Sequence, residues 1–161
     1  MTPQQAFDSY GKAVHGFAYR LTRRADLADD ITQECFLALL RAPGRFDAAR
    51  GSPKTYLFAI ARNLVLKHHR DDRPEDPLDD AAAEVFSPDL AVAVEQAVAA
   101  LPALQQESVV LFEYEGFTLE EIAQVTGVDT GTVKSRLHRA RERLKRVLAP
   151  YRKVNNADRT A

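Results

Sequence analysis

The sequence predicts an all-α protein made of two small helical domains joined by a flexible acidic linker. Apolar residues recur at spacings of three and four in most segments, which is the pattern of helices with one buried face. Between residues 71 and 88, prolines and acids replace this periodicity, as is typical of a linker. We therefore expect domains at residues 1–70 and 89–153, and a disordered tail at residues 154–161.

Composition excludes several classes of protein. With 161 residues and 45% apolar content, the chain can form compact cores. No apolar run approaches the roughly 20 residues of a membrane span, and the N-terminus lacks a signal-peptide pattern, so we expect a cytoplasmic protein without membrane insertion. The single cysteine, Cys35, excludes an internal disulfide, and its inward position favours a buried thiol over a redox sensor. Adjacent His68 and His69 do not share a helix face, so we predict no metal site.

Charge is strongly segregated along the chain, although the net charge is only −1. Residues 1–70 hold eleven bases and six acids, residues 71–129 hold one base and fifteen acids, and residues 130–153 hold nine bases and one acid. Two cationic regions separated by an acidic one indicate two modules that face nucleic acid and a connector that is repelled by it. The linker's 18 or so residues would span roughly 60 Å when fully extended, so the modules could lie well apart on one duplex.

Three helices are predicted in the first domain. The first has an apolar stripe of Phe7, Tyr10, Val14, Phe17 and Leu21. The second is predicted to be capped by Asp26 and to end before Pro43, with an inner stripe of Leu27, Ile31, Cys35 and Ala38. The third follows the basic loop of residues 45–55, runs from Lys54 to about Arg70, and is apolar nearly all round at its start, which predicts burial.

The outer face of the second helix mixes carboxylates with large apolar groups. Its members are Asp29, Asp30, Gln33, Phe36, Leu37 and Leu40. A solvated face is normally polar throughout, so this mixture indicates a protein-binding surface. The alternative is that Phe36 and Leu40 pack on another helix.

Four helices are predicted in the second domain. Asp89 is expected to cap the first, whose apolar residues are Leu90, Val94, Ala97 and Leu101. Pro102 opens the second, which carries Val109 and Phe112 and ends at Gly116. The other two helices occupy residues 118–146.

Residues 118–146 have the pattern of a helix-turn-helix. Thr118 and Glu121 form a capping box, Gly127 can end the first helix in the left-handed conformation, and Asp129 can cap the second. The core stripe of the second helix is Val133, Leu137, Ala140 and Leu144, and the opposite arc carries Lys134, Ser135, His138 and Arg139. A buried edge opposite a cationic, hydrogen-bonding edge suits the DNA major groove. A solvated helical hairpin is the alternative, which the dense positive charge makes less favourable.

Three segments together resemble the sigma-70 family, specifically the extracytoplasmic-function (ECF) sigma factors of bacterial RNA polymerase. Residues 30–36, DITQECF, resemble the part of region 2 that grips the coiled coil of the polymerase β′ subunit. Residues 54–63, KTYLFAIARN, resemble the part that melts and reads the −10 element, with Tyr56 where the family usually has Trp. Residues 131–141, GTVKSRLHRAR, resemble the helix of region 4 that reads the −35 element.

The resemblance assigns roles to particular residues. Contact with core polymerase is assigned to Asp29, Asp30, Gln33, Glu34 and Phe36. Contact with the −10 element is assigned to Arg45, Arg50, Lys54, Tyr56, Arg62 and Asn63. Contact with the −35 element is assigned to Thr132, Lys134, Ser135, Arg136, His138, Arg139 and Arg141.

The implied activity is binding without covalent chemistry, so we expect no enzyme, catalytic residue or cofactor. The implied partners are core RNA polymerase, through its β′ coiled coil and its β subunit, promoter DNA, and an anti-sigma factor. Two alternatives stay open. A LuxR-type regulator shares the helix-turn-helix but has no equivalent of residues 1–70. A sigma mimic that only occupies an anti-sigma factor would lose the basic DNA face that this sequence keeps.

Overall fold

The computed structural model describes residues 2–41, 51–72 and 87–151 of the chain, with the backbone alone at residues 69–72. In these ranges the chain forms helices joined by short connections. The helices are α1 (Pro3–Thr22), α2 (Ala25–Arg41), α3 (Pro53–Asp72), α4 (Leu90–Ala99), α5 (Ala103–Val109), α6 (Leu119–Thr126) and α7 (Thr130–Val147). A π-helical stretch, Val110–Tyr114, continues α5 without a break. The all-α prediction is confirmed.

The capping signals of the second half, residues 87–151, form as predicted. The Asp89 carboxylate accepts hydrogen bonds from the backbone N–H groups of the first turn of α4. Thr118 and Glu121 form the reciprocal capping box of α6, and Gly127 ends that helix at φ 75°. Asp129 accepts a hydrogen bond from the Thr132 N–H at 2.6 Å, and this bond lowers the pKa of the Asp129 carboxyl. Each helix therefore begins where the sequence placed it.

The start of α2 differs from the prediction. The helix begins at Ala25, so Asp26 lies inside its first turn instead of capping it. The Asp26 carboxylate accepts a hydrogen bond from Arg24 at 2.9 Å, which lowers its pKa. Arg23 just before it adopts the left-handed conformation, at φ 59°, and ends α1. The chain therefore turns between α1 and α2 over two residues. The Ala28 N–H donates to the Arg24 carbonyl at 3.0 Å, so the capping position falls at Arg24 and not at Asp26.

Two apolar stripes are only partly buried. In α1, Val14, Phe17 and Leu21 lie in the core, but the Phe7 residue is 50% exposed. In α4, Leu90 is 44% exposed at the first position of the helix, although it belongs to the apolar repeat. Ala93 is fully buried in its place, so α4 turns a face of smaller residues toward the core.

The two halves of the chain share one hydrophobic core. The Phe58 ring of α3 packs on Phe17 of α1, with centroids 5.1 Å apart, and on Phe117, which precedes α6, at 4.9 Å. All three rings are almost fully buried. Through these contacts, α3 joins α1 of the first half, residues 2–72, to the helix-turn-helix of the second half. It also extends to Asp72, two residues into the predicted linker, and the remaining linker prediction at residues 73–86 lies outside the described residues.

Candidate nucleic-acid interface

Helix α7 presents a polar and cationic face opposite its buried stripe. Val133, Leu137 and Ala140 are buried, as predicted, and Leu144 is half-buried. The side chains on the opposite arc, Lys134, Ser135, His138 and Arg139, are all exposed. This arrangement places two cations and two hydrogen-bonding groups together in the early turns of a capped helix, where they can reach base edges in a major groove.

The side chains on the flanks of α7 are partly buried or lie near acidic groups. Thr132 is half-buried in the first turn. The Arg141 guanidinium lies 3.7 Å from the Glu113 carboxylate and 5.4 Å from the centre of the Phe112 ring. The Arg136 side chain is only 18% exposed, and its Nη1 lies 3.7 Å from Glu107 Oε1, which is too far for a hydrogen bond. Arg136 thus has a buried polar atom without a hydrogen-bond partner among the described residues.

The start of α3 is fixed by a hydroxyl group that precedes it. Ser52 Oγ accepts a hydrogen bond from the Thr55 N–H at 3.2 Å, and Thr55 Oγ1 donates to the Ser52 carbonyl at 2.9 Å. Thr55 is also buried. The predicted −10 contacts Arg45 and Arg50 lie outside the described residues. This part of α3 is therefore a capped helix end that leads directly into the core.

The remaining predicted −10 contacts on α3 have unequal exposure. Asn63 is exposed, whereas Tyr56 is half-buried. The Lys54 ammonium lies 4.6 Å from the centre of the Phe117 ring, a cation–π contact with the second half. Arg62 is bound to Glu107 of α5 by two hydrogen bonds, from Nε to Oε2 at 2.9 Å and from Nη2 to Oε1 at 3.1 Å. Two of these side chains thus contact the second half of the chain.

The outer face of α2 is mostly available to a partner. Exposed residues on it include Asp29, Asp30, Gln33 and Glu34. The Asp29 carboxylate also lies 2.8 Å from Nε2 of His15. Leu37 and Leu40 are 40% and 57% exposed, so Leu40 does not pack into the core as the alternative interpretation required. The acidic and apolar side chains that the sequence places on this face are therefore exposed, apart from Phe36.

Phe36 is placed differently from the rest of this set. Its residue exposure is only 7%, and its ring meets the Phe7 ring edge to face with centroids 5.0 Å apart. Phe36 therefore packs on α1, and the exposed ring at this position belongs to Phe7. The alternative that this residue packs on another helix is thus confirmed for Phe36, and its assignment to the outer face is corrected, because the spacing within α2 could not show that α1 covers it.

Glu107 is the functional candidate that sequence reasoning missed. Its side chain is 2% exposed, and it lies between an arginine of α3 and an arginine of α7. In the sequence it is one acid in a segment of residues 71–129 that is rich in acids. The only local signal is an acid two positions before the apolar run 109–112, and that signal does not identify a partner 45 positions away.

The described parts of the chain contain no cluster of three or more His, Cys, Asp or Glu side chains arranged to hold a metal ion. None of their helices combines the length and the apolar character needed to cross a membrane.

Comparison with known proteins assigns both halves of the chain. Residues 6–75 match the model of sigma-70 region 2, and residues 91–144 match the model of sigma-70 region 4. The ECF RNA polymerase sigma factor SigM of Mycobacterium tuberculosis is 35% identical over 151 aligned residues, which cover 89% of this chain and 76% of SigM.

Two solved structures share the fold of this chain. The sigma factor RpoE from Bartonella quintana, in complex with the anti-sigma factor NepR, has a TM-score of 0.69 and 29% identity, covering 91% of this chain and 96% of RpoE. CnrH, in complex with the cytosolic domain of CnrY, has a TM-score of 0.71 and 25% identity, covering 92% of this chain and 88% of CnrH.

A helical chain with region 2 in its first half and region 4 in its second half is a sigma factor, a class of non-catalytic transcription initiation factors. The chain belongs to the sigma-70 family, within the ECF group, as the resemblance predicted. It therefore directs RNA polymerase to promoters. The LuxR-type alternative is excluded because residues 6–75 match region 2.

Proposed function

We propose that this sigma factor binds core RNA polymerase through the exposed face of α2, reads the −35 element with α7, and reads the −10 element with the start of α3. The observation that carries this proposal is the arc of Lys134, Ser135, His138 and Arg139 on α7, exposed opposite a buried stripe. A helix held by its inner edge can enter the major groove without disturbing its own packing.

The −35 contacts divide by position along α7. Lys134, Ser135, His138 and Arg139 lie in the early turns and face outward, where they read base edges. Arg141 lies on the flank, about half exposed, where it contacts a phosphate. Thr132 and Arg136 sit beside the groove-facing arc and orient the helix.

The −10 contacts come from α3 and the loop before it. Asn63 is exposed, and Lys54, Tyr56 and Arg62 supply cations and an aromatic ring of the kind that bind unstacked single-stranded DNA. Arg45 and Arg50 complete this set, as the sequence predicts. Together these residues would hold a base of the non-template strand outside the duplex.

Core polymerase would bind the acidic and apolar face of α2. Asp29, Asp30, Gln33 and Glu34 supply polar contacts to a basic partner, and the exposed rim of Leu37 and Leu40 supplies apolar area. The family implies the β′ coiled coil as the occupant of this face and a second contact on the β subunit. Phe36 would act indirectly, by supporting Phe7 at the edge of the same surface.

An anti-sigma factor is a further proposed partner, and its support is that both compared structures were solved with such a partner or with a second protein. The site of action would be the cytoplasm, where bacterial polymerase transcribes. The modules responsible would be residues 1–70 and 89–153, joined by the linker at 71–88, with the tail at 154–161 outside both.

In-vitro transcription tests the proposal directly. Purified chain and bacterial core polymerase would be incubated with a library of templates with randomised −35 and −10 elements, and the transcribed templates would be sequenced. We expect enrichment of one pair of elements at a fixed spacing, and only when the chain is present. Binding of one duplex element without any transcription would contradict the proposal and favour a DNA-binding regulator.

A further inference from the structure

We propose that Glu107 acts as an internal substitute for a DNA phosphate, which holds Arg62 against the second half of the free chain and must be displaced before α3 binds the −10 strand. The inference rests on the proposed role of α3. It adds a closed state of the free chain, in which one DNA-reading helix is covered and the other is presented.

The geometry of the Glu107 pair is that of phosphate recognition. Arg62 donates two roughly parallel hydrogen bonds to the two oxygens of one carboxylate, at 2.9 and 3.1 Å. An arginine binds a phosphate with the same bidentate fork, so a carboxylate and a phosphate compete for the same two donors. The Arg62 side chain is 14% exposed in this position. A phosphate cannot reach it while Glu107 remains in place.

Other contacts across the same boundary reinforce the closure. The Arg20 guanidinium of α1 lies 4.0 Å from the centre of the Tyr114 ring, and the Gln106 side chain donates to the Arg20 carbonyl at 3.3 Å. Lys54, at the start of α3, lies over Phe117. Three cations of the first half, Arg20, Lys54 and Arg62, thus contact groups of the second half. The closed state consequently occupies cationic groups that a nucleic acid would otherwise attract.

The closed state is built to be reversible. A buried ion pair stabilises a fold weakly, because the desolvation of both charges offsets much of their attraction. Separation of the halves would return Glu107 to water and leave it near Arg136 on its own half of the chain. The connection between α3 and α4, residues 73–89, is long enough, at about 55 Å if fully extended, to let the halves move apart without breaking the chain.

A matched pair of variants of the full chain tests this inference without polymerase. Glu107→Gln keeps the size of the side chain and removes the charge that binds Arg62. Glu113→Gln removes the same charge from the next acid along, which is exposed and pairs with Arg141 inside the second half. The probe is a fluorescent single-stranded thymidine oligonucleotide, titrated at several salt concentrations, because base stacking and backbone contacts to single strands tolerate any sequence.

We expect Glu107→Gln to bind the oligonucleotide about 10-fold more tightly than the wild-type chain, since the apparent affinity scales with the fraction of open molecules. Glu113→Gln should change the affinity by about two-fold or less, because one charge fewer affects only general attraction. Equal gains in both variants, or no gain in Glu107→Gln, would overturn the proposal.

A second variant protects the test against misfolding. If circular dichroism shows that Glu107→Gln does not fold, Tyr114→Ala replaces it, because Tyr114 is 37% exposed and its ring meets Arg20 across the boundary. It should raise the affinity for the same oligonucleotide several-fold, and an unchanged affinity would contradict closure. The transcription assay separates this inference from the proposed function. If the affinity gain appears but no transcription is seen, the closed state is supported and the proposed function is contradicted. If transcription is seen but the affinity gain does not appear, only the closed state is contradicted.

Discussion

Helices α7 and α3 carry the two predicted sets of DNA contacts, yet the free chain presents them differently. The α7 arc of Lys134, Ser135, His138 and Arg139 faces solvent opposite the buried stripe of that helix. The corresponding part of α3 is covered, with Thr55 buried, Lys54 over an aromatic ring and Arg62 bound to a carboxylate. The difference follows from position: α7 contacts the core with one edge, whereas α3 packs on α1 and also on the second half. A sequence motif can therefore identify a binding helix without showing whether it is available.

The largest expected effect comes from the ring that joins α3 to both halves. Phe58 is fully buried and contacts Phe17 and Phe117. Phe58→Ala should lower the free energy of unfolding by about 3–5 kcal/mol, because it removes apolar burial and leaves a cavity. Urea denaturation followed by circular dichroism measures this change.

The control for Phe58 is Phe7, a ring that is half exposed at the surface of α1. Phe7→Ala should cost about 0.5–1.5 kcal/mol, since it loses chiefly one edge-to-face contact with Phe36. Similar losses in the two variants would show that α3 is not packed between the halves.

The second prediction concerns the exposed face of α2. Asp30→Arg combined with Gln33→Ala should weaken binding to core polymerase by about 2 kcal/mol or more, because a reversed charge would oppose a basic partner. Neither side chain lies in the core, so the melting temperature should stay close to that of the wild-type chain. A pull-down with core polymerase measures the loss, and Glu95→Arg on α4 provides a charge reversal on another surface. Unchanged binding would mean that the assigned surface is wrong.

The third prediction tests whether the presented face of α7 reads sequence. Arg139→Ala should cost about 1–3 kcal/mol of binding to the selected −35 duplex and relax the preference at one or two base pairs. The measurement is the affinity of the full chain across duplex variants at several salt concentrations. An even loss across all variants, with the preference kept, would require a rotated recognition face.

Arg141 supplies the contrast to Arg139 on the same helix. Its side chain is about half exposed, and its guanidinium lies near Glu113 and Phe112 on the flank of α7. Arg141→Ala should weaken every duplex alike and reduce the slope of log affinity against log salt by about one unit, the mark of one phosphate contact. An unchanged salt slope would assign Arg141 to packing instead.

The smallest expected effect is a pH dependence at the boundary between the halves. Partial burial raises the pKa of the Glu115 carboxyl, although Lys54 and Arg20 nearby act in the opposite direction. The folded chain therefore favours the protonated carboxyl, so this contribution to stability is full below the ordinary carboxyl pKa and is lost as pH rises through the folded-state pKa. Glu115→Gln carries no titrating carboxyl at this position. The free energy of unfolding of the variant, relative to that of the wild-type chain, should therefore rise as pH increases from the ordinary carboxyl pKa through the folded-state pKa. Urea midpoints measured across the pH range would show this, and a constant difference would contradict it.

Local signals predicted most of the fold. Capping residues and the spacing of apolar residues are properties of short segments, which is why Asp89, Thr118, Gly127 and Asp129 were placed correctly. The exposed arc of α7 followed from the same periodicity. Contacts between distant segments could not be obtained this way. No pattern in the sequence shows that Phe7 covers Phe36, since this depends on how α1 crosses α2.

The packing of α3 was beyond sequence reasoning for a similar reason. The acids of residues 71–129 predicted a connector repelled by DNA, and this interpretation treated Glu107 as one charge among many. Its role depends on the three-dimensional approach of α5 to α3 across the linker. Burial of the start of α3 was predicted, but the identity of the surface that buries it was not.

The distance between the two halves, measured by single-molecule fluorescence, tests the central claim that the free chain is closed over α3. Dyes would be attached to Lys12→Cys and Ala149→Cys, both at exposed positions. Cys35 should stay unlabelled, since burial raises the pKa of its thiol to about 12. We expect one compact population for the free chain and an extended population after core polymerase is added. An extended population already present as the major species in the free chain would contradict the account.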